Sequence, residues 1–146
     1  MKQDQLKAWQ PDQFDRFVRI LEQNQLNHAY LFSGFFGSLE MAQFLAKSLF
    51  CRDKVGILPC EKCRNCKLIE QEEFPDVTLI KPVNQVIKTE RIRELVAQFS
   101  QAGIESQQQI FIIEQAEKMH PNAANSLLKV KIGRAHVWTP VTWSYL

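Results

Sequence analysis

The chain is 146 residues long, enough for about one domain. Apolar residues make up 45% and charged residues 23% of it, which excludes a collagen-like or largely disordered chain. The formal net charge of +2 comes from Lys131 and Arg134 near the C-terminus; residues 1–130 carry equal numbers of each sign, so composition gives no broad basic face for autonomous DNA binding.

Met1 to Gln10 is polar, without the apolar segment of an export signal. The apolar run Ile110 to Ile113 is far shorter than the ~20 residues that cross a bilayer. The expectation is a cytoplasmic protein with no membrane partner. Pro11 and Asp12 open a segment with Phe14, Phe17, Val18 and Leu21 on one helical stripe, and polar Asn24 to Asn27 ends it. His28 to Phe32 reads as a short buried strand, Ser33 to Ser38 as a glycine-containing turn. A helix is predicted from Leu39 to Phe50, with Met41, Phe44, Leu45 and Leu49 inward.

Cys51, Cys60, Cys63 and Cys66 follow as C-x8-C-x2-C-x2-C, with no cysteine left over. C-x2-C turns bring two thiolates together from one short loop, and four thiolates suit a closed, structural Zn²⁺ site with no position for a catalytic water. A cytosolic setting disfavours disulfides. Arg52, Lys54, Lys62, Arg64 and Lys67 can offset the negative charge of such a site. The alternatives are a redox-active C-x2-C pair, which lacks a thioredoxin-like context, and unliganded thiols.

Asp76 to Ile80 reads as a second strand. Thr89 is placed as the N-cap of a helix with Ile92, Leu95, Val96 and Phe99 inward, ended by Gly103. Gln109 to Ile113 is a third strand, apolar enough for burial on both faces, although Gln107 to Gln109 also reads as solvated loop. Pro121 opens a last helix containing Ala123, Ala124, Leu127 and Leu128. Alternating strands and helices define an α/β fold with a parallel sheet and crossover helices. Residues 131–146 read KIGRAHVWTPVTWSYL and resemble a translated sequencing-adapter oligonucleotide. They are expected to be a non-native tail after a partial domain of residues 1–130, leaving three strands and a sheet incomplete at its C-terminus.

The strand, turn and helix around Gly34 have the layout of a phosphate-binding P-loop, G-x-x-x-x-G-K-[ST]. Gly34 matches the first glycine, and Gly37 and Ser38 continue the turn. Leu39 stands at the second glycine, Glu40 at the lysine and Met41 at the magnesium-binding hydroxyl. One unit-charge contact at about 4 Å is worth roughly 4 kcal/mol at an effective dielectric of about 20, and replacing lysine by glutamate reverses its sign. At the end of the third strand Glu114 is followed by Gln115, where active P-loop enzymes carry an acidic pair; glutamine cannot act as a base. The expectation is a P-loop fold with no catalytic residue and no ATP.

The runs His28-Ala29-Tyr30-Leu31-Phe32-Ser33-Gly34, Phe74-Pro75-Asp76-Val77, Ile87 to Leu95, Ile112 to Met119 and Ala123-Ala124-Asn125-Ser126-Leu127-Leu128-Lys129, with the cysteine spacing, resemble the AAA+ subunits of bacterial clamp loaders over about Gln10 to Val130. The resemblance implies an AAA+ domain of the P-loop NTPase type with an inserted zinc module at about 51–66. Glu40 and Gln115 are similar to the non-motor, stator type of subunit, which would sit with gamma or tau and delta subunits in a heteropentamer and reach primed DNA and the sliding clamp through it. On its own such a chain is not an enzyme; as part of the holoenzyme it is classed with DNA-directed DNA polymerase, a nucleotidyltransferase. The family's Ser-Arg-Cys motif, with its arginine finger, and its C-terminal collar have no counterpart in this sequence. The competing readings are an active P-loop ATPase, which needs a compensating lysine that Lys47 is too far along the helix to supply, and a small zinc-dependent nucleic-acid-binding module.

Overall fold

A computed structural model describes residues 3–26, 30, 32–33, 37–98, 109–128, 136–138 and 142–143. The first element is unforeseen: helix α1, Gln3–Trp9, whose Leu6 is buried. A single apolar anchor gives no periodicity, so the segment reads as polar. Helix α2, Pro11–Glu22, follows the stripe, with Phe14 and Phe17 buried and Pro11 in the first turn. Asn24 closes it in the left-handed region (φ 51°) and donates its N–H to the Leu21 carbonyl at 3.1 Å.

Strand β1 is Phe32–Ser33; His28, Ala29 and Leu31 lie outside the described residues. Helix α3, Ser38–Phe50, starts one residue earlier than expected and is buried on two faces. Met41, Phe44 and Leu45 pack against Leu6, Phe14 and Phe17. Ala42, Ala46 and Phe50 pack against Ile69, Phe74, Ile110 and Ile112. The second face is carried by two alanines, which a hydrophobic-stripe reading undervalues; Leu49, expected inward, is half-buried. Helix α4, Arg64–Glu70, is also unforeseen and lies inside the cysteine segment.

Strands β2, Val77–Ile80, and β3, Gln109–Ile113, pair in parallel, Val77 opposite Ile110 through Ile80 opposite Ile113. Gln109 belongs to β3 and is half-buried, so it is not loop; Gln107 lies outside the described residues. Helix α5, Thr89–Gln98, lies between these strands in sequence. Thr89 is its first residue rather than its N-cap: the Lys88 carbonyl accepts from Arg91 and Ile92. Phe99 and Gly103 lie outside the described residues. A 3-10 turn, Ala116–Lys118, precedes helix α6, Pro121–Leu128.

β3 is covered on both sides. Ile110 and Ile112 face α3 and α4. Phe111 and Ile113 join Ile80, Ile87, Ile92, Leu95, Ala116 and Ala123 beneath α5 and α6. This three-layer arrangement is the expected α/β class with a parallel sheet. Where three strands were expected, the described residues hold five. β4, His136–Trp138, pairs in parallel with β3, and β5, Thr142–Trp143, with β1.

Candidate functional site

The four cysteines come from consecutive pieces of chain. Cys51 is the residue after α3, Cys60 follows a small hairpin closed by Val55 and Leu58, and Cys63 caps α4, inside which Cys66 lies. The four sulfurs all lie within 4.8 Å of one another. Cys51 and Cys66 are buried, Cys60 and Cys63 half-buried, and all four are free thiols. Tetrahedral zinc with Zn–S bonds of about 2.3 Å requires sulfurs about 3.8 Å apart. Cys63 Sγ and Cys51 Sγ are 3.9 Å apart, too far for a disulfide and suited to a shared metal.

Backbone N–H groups surround the sulfurs. Cys60 donates to Cys51 Sγ at 3.2 Å, Lys62 and Cys63 to Cys60 Sγ at 3.4 and 3.2 Å, and Cys66 to Cys63 Sγ at 3.4 Å. Such donors favour the thiolate. Burial raises the Cys63 thiol, but the Cys66 and Arg52 N–H groups, together with the Cys66 and Cys60 side chains, outweigh it and bring the thiol down to about 6. At Cys51 and Cys66 burial wins and holds both thiols above their ordinary value. The donor set, spacing and N–H cradle therefore fit a metal of zinc type. Arg52, Lys54, Lys62, Arg64 and Lys67 are all exposed around it.

Two residues between the cysteines tie this segment to its neighbours, and sequence reading singled out neither. Buried Asn65 donates its Nδ2 to the Phe50 carbonyl at 2.8 Å, tying the end of α3 to the start of α4. Glu61, between two cysteines, adopts φ 60° and accepts the Gln3 N–H at 2.7 Å. Both sit between cysteines in the pattern, which was the signal available.

The nucleotide-loop residues lie apart from this centre in role. Gly37 precedes α3 with φ 81°, and Leu39, Glu40 and Met41 occupy the helix's first turn. Met41 is 3% exposed and belongs to the core with Phe14 and Phe44, so it is not placed to face a ligand. Gly34 lies outside the described residues. Lys47 is buried, 3.9 Å from Glu70 across to α4, well along the helix from the turn. Glu114 and Gln115 stand at the carboxyl end of β3, with Gln115 in the left-handed region (φ 53°). With Lys81, Pro82, Asn84 and Gln85 they line an open cavity of about 330 Å³.

Among known structures, a DNA polymerase III gamma subunit-related protein from Thermotoga maritima superposes with a TM-score of 0.53 at 16% identity, covering 90% of this chain and 40% of that one. The class is thus an α/β domain with the fold of that gamma subunit-related protein. Residues 9–131 match the family described as DNA polymerase III, delta subunit, and the chain belongs to that family. It is 43% identical over 127 residues to DNA polymerase III subunit delta' of Bacillus subtilis, covering 86% of this chain and 38% of that protein. It is 35% identical over 111 residues to the tau/gamma subunit of Haemophilus influenzae, covering 75% of this chain and 16% of that protein. The chain therefore spans well under half the length of these relatives. Among the described residues no helix is long and apolar enough to cross a membrane.

Proposed function

We propose that this chain is the AAA+ P-loop-type portion of a delta-prime subunit, a non-catalytic member of the DNA polymerase III clamp loader. In this reading it supports loading of the sliding clamp onto primed DNA, in a cytoplasmic heteropentamer with gamma or tau and delta subunits. It hydrolyses nothing itself and is an enzyme component only as part of the polymerase holoenzyme. The observation that carries the non-catalytic role is the first turn of α3: Leu39, Glu40 and Met41 stand where a working loop needs glycine, lysine and a hydroxyl, and Met41 is part of the core. Gln115 in place of a second acid at the end of β3 supports it. The 43% identity to a protein named delta' supports the assignment among subunits.

In the same reading Cys51, Cys60, Cys63 and Cys66 hold a structural Zn²⁺, which supplies a cross-link and no chemistry. Residues 131–146 are a non-native tail; the end of the family match at residue 131 supports this. Metal analysis and calorimetric titration with magnesium-ATP test the function together. The expected result is a single zinc per chain and no saturable ATP binding. Saturable, magnesium-dependent ATP binding overturns the non-catalytic reading.

A further inference from the structure

Helix α1 touches both candidate sites. At its start, Gln3 donates its backbone N–H to Glu61 Oε1 at 2.7 Å and its side-chain Nε2 to the Pro59 carbonyl at 3.3 Å. Glu61 lies inside the C-x2-C turn between Cys60 and Cys63, with φ 60°. That conformation is uphill for any residue with a Cβ. Here it is set by the turn that points the two flanking sulfurs at a common centre.

At the other end, Leu6 and Gln10 lie against Gly37. A Cβ built on Gly37 would sit 3.4 Å from Gln10 Cγ, 3.7 Å from Leu6 Cδ1 and 4.0 Å from Gln10 Nε2. Gly37 is the last residue before α3, where the free N–H groups of a phosphate-binding loop gather. The side chains of Leu6 and Gln10 lie about one methyl group's width from Gly37 and cover it.

We propose that α1 is a strap over the Gly37 turn, held down by the metal-loaded cysteine turn through Glu61. The proposal rests on the metal-centre reading above. When the metal leaves, the turn keeps only the N–H bonds of Lys62 and Cys63 to Cys60 Sγ, and Glu61 relaxes from its left-handed conformation. Gln3 then loses its carboxylate acceptor. A helix of 7 residues cannot persist in water by itself, so with Leu6 as its one buried side chain the loss at Gln3 spreads along α1 toward Gln10. Gly37 and the first turn of α3 are thereby uncovered. Metal content and access to the N-terminus of α3 become one property of the chain.

Hydrogen–deuterium exchange on the full chain tests this, with the zinc content of every sample measured alongside. Glu61→Ala is the principal variant, because it removes the carboxylate and leaves all four cysteines. The expected result is unchanged zinc content, with protection of amides in residues 5–10 and 37–41 reduced about tenfold or more, the effect of losing a hydrogen bond to a charged group. Chelation of the wild-type metal is expected to produce the same local loss, with β3 amides 110–113 still protected. If Glu61→Ala keeps its zinc and its protection at 5–10, the strap is wrong. If chelation leaves 5–10 protected, or the purified chain carries no metal, the metal linkage is wrong, and the zinc content reports which reading failed. If chelation unfolds the whole chain, β3 protection collapses as well, and Glu61→Ala decides.

Discussion

Replacing Asn65 by alanine separates packing from metal support. Asn65 is 6% exposed, and its Nδ2 donates to the Phe50 carbonyl at 2.8 Å. Removing the donor leaves a carbonyl in a buried setting, which costs about 1–3 kcal/mol. Among the described residues its Oδ1 is buried without a partner, so deleting it returns part of that cost and places the expected loss near the lower end, about 1–2 kcal/mol. The same contact joins the end of α3, directly before Cys51, to the start of α4, which Cys63 caps and which holds Cys66. Loosening it lets Cys51 drift from a sulfur now 3.9 Å away. Loss of an outer-shell partner lowers metal affinity by about 10–100-fold. Denaturant titration of the zinc-loaded chain measures the first quantity, and competition with a chromophoric chelator the second. A variant that loses stability but keeps its zinc affinity within about twofold of wild type would refute the coupling and leave Asn65 a packing residue.

Zinc affinity should fall as pH is lowered, because Cys51 and Cys66, both held above their ordinary value, must each release a proton to bind metal; the fall should steepen below about 6, where Cys63 also takes up a proton, and chelator competition from pH 8 to 5 reads it. Glu40→Lys alone should give no magnesium-ATP binding, since Leu39 and Met41 remain, and calorimetry checks this. Adding Leu39→Gly and Met41→Thr should destabilise the chain by about 2 kcal/mol or more, because Met41 fills the core beside Phe44; thermal or denaturant unfolding measures it. Ile112→Ala, at a β3 position 1% exposed, should cost about 2–5 kcal/mol in the same assay.

The elements legible in the sequence are those whose burial follows one period. α2 announces itself through Phe14 and Phe17, and β3 through an apolar run covered on both faces. α1 and α4 escaped because each buries few side chains and owes its place to partners distant in sequence or to the cysteine turns. The α3 face built from Ala42 and Ala46 escaped because small residues carry little hydrophobic signal yet permit close packing against β3. The four cysteines were readable because their spacing alone restricts how they meet. Asn65 and Glu61 were not, since a single amide or carboxylate between cysteines gives no sign of its distant acceptor or donor.

The cysteine centre also bears on the order in which the chain assembles. Its sulfurs are separated by spacers of only eight, two and two residues, so closing it confines little chain. The pairing of Val77 with Ile110 must instead gather a long intervening segment before any ladder bond rewards it. A metal present during synthesis would therefore lock α3 to α4 while β3 is still unmade, and hand the emerging strand a finished wall of Ala42, Ala46, Phe50 and Ile69 to condense upon.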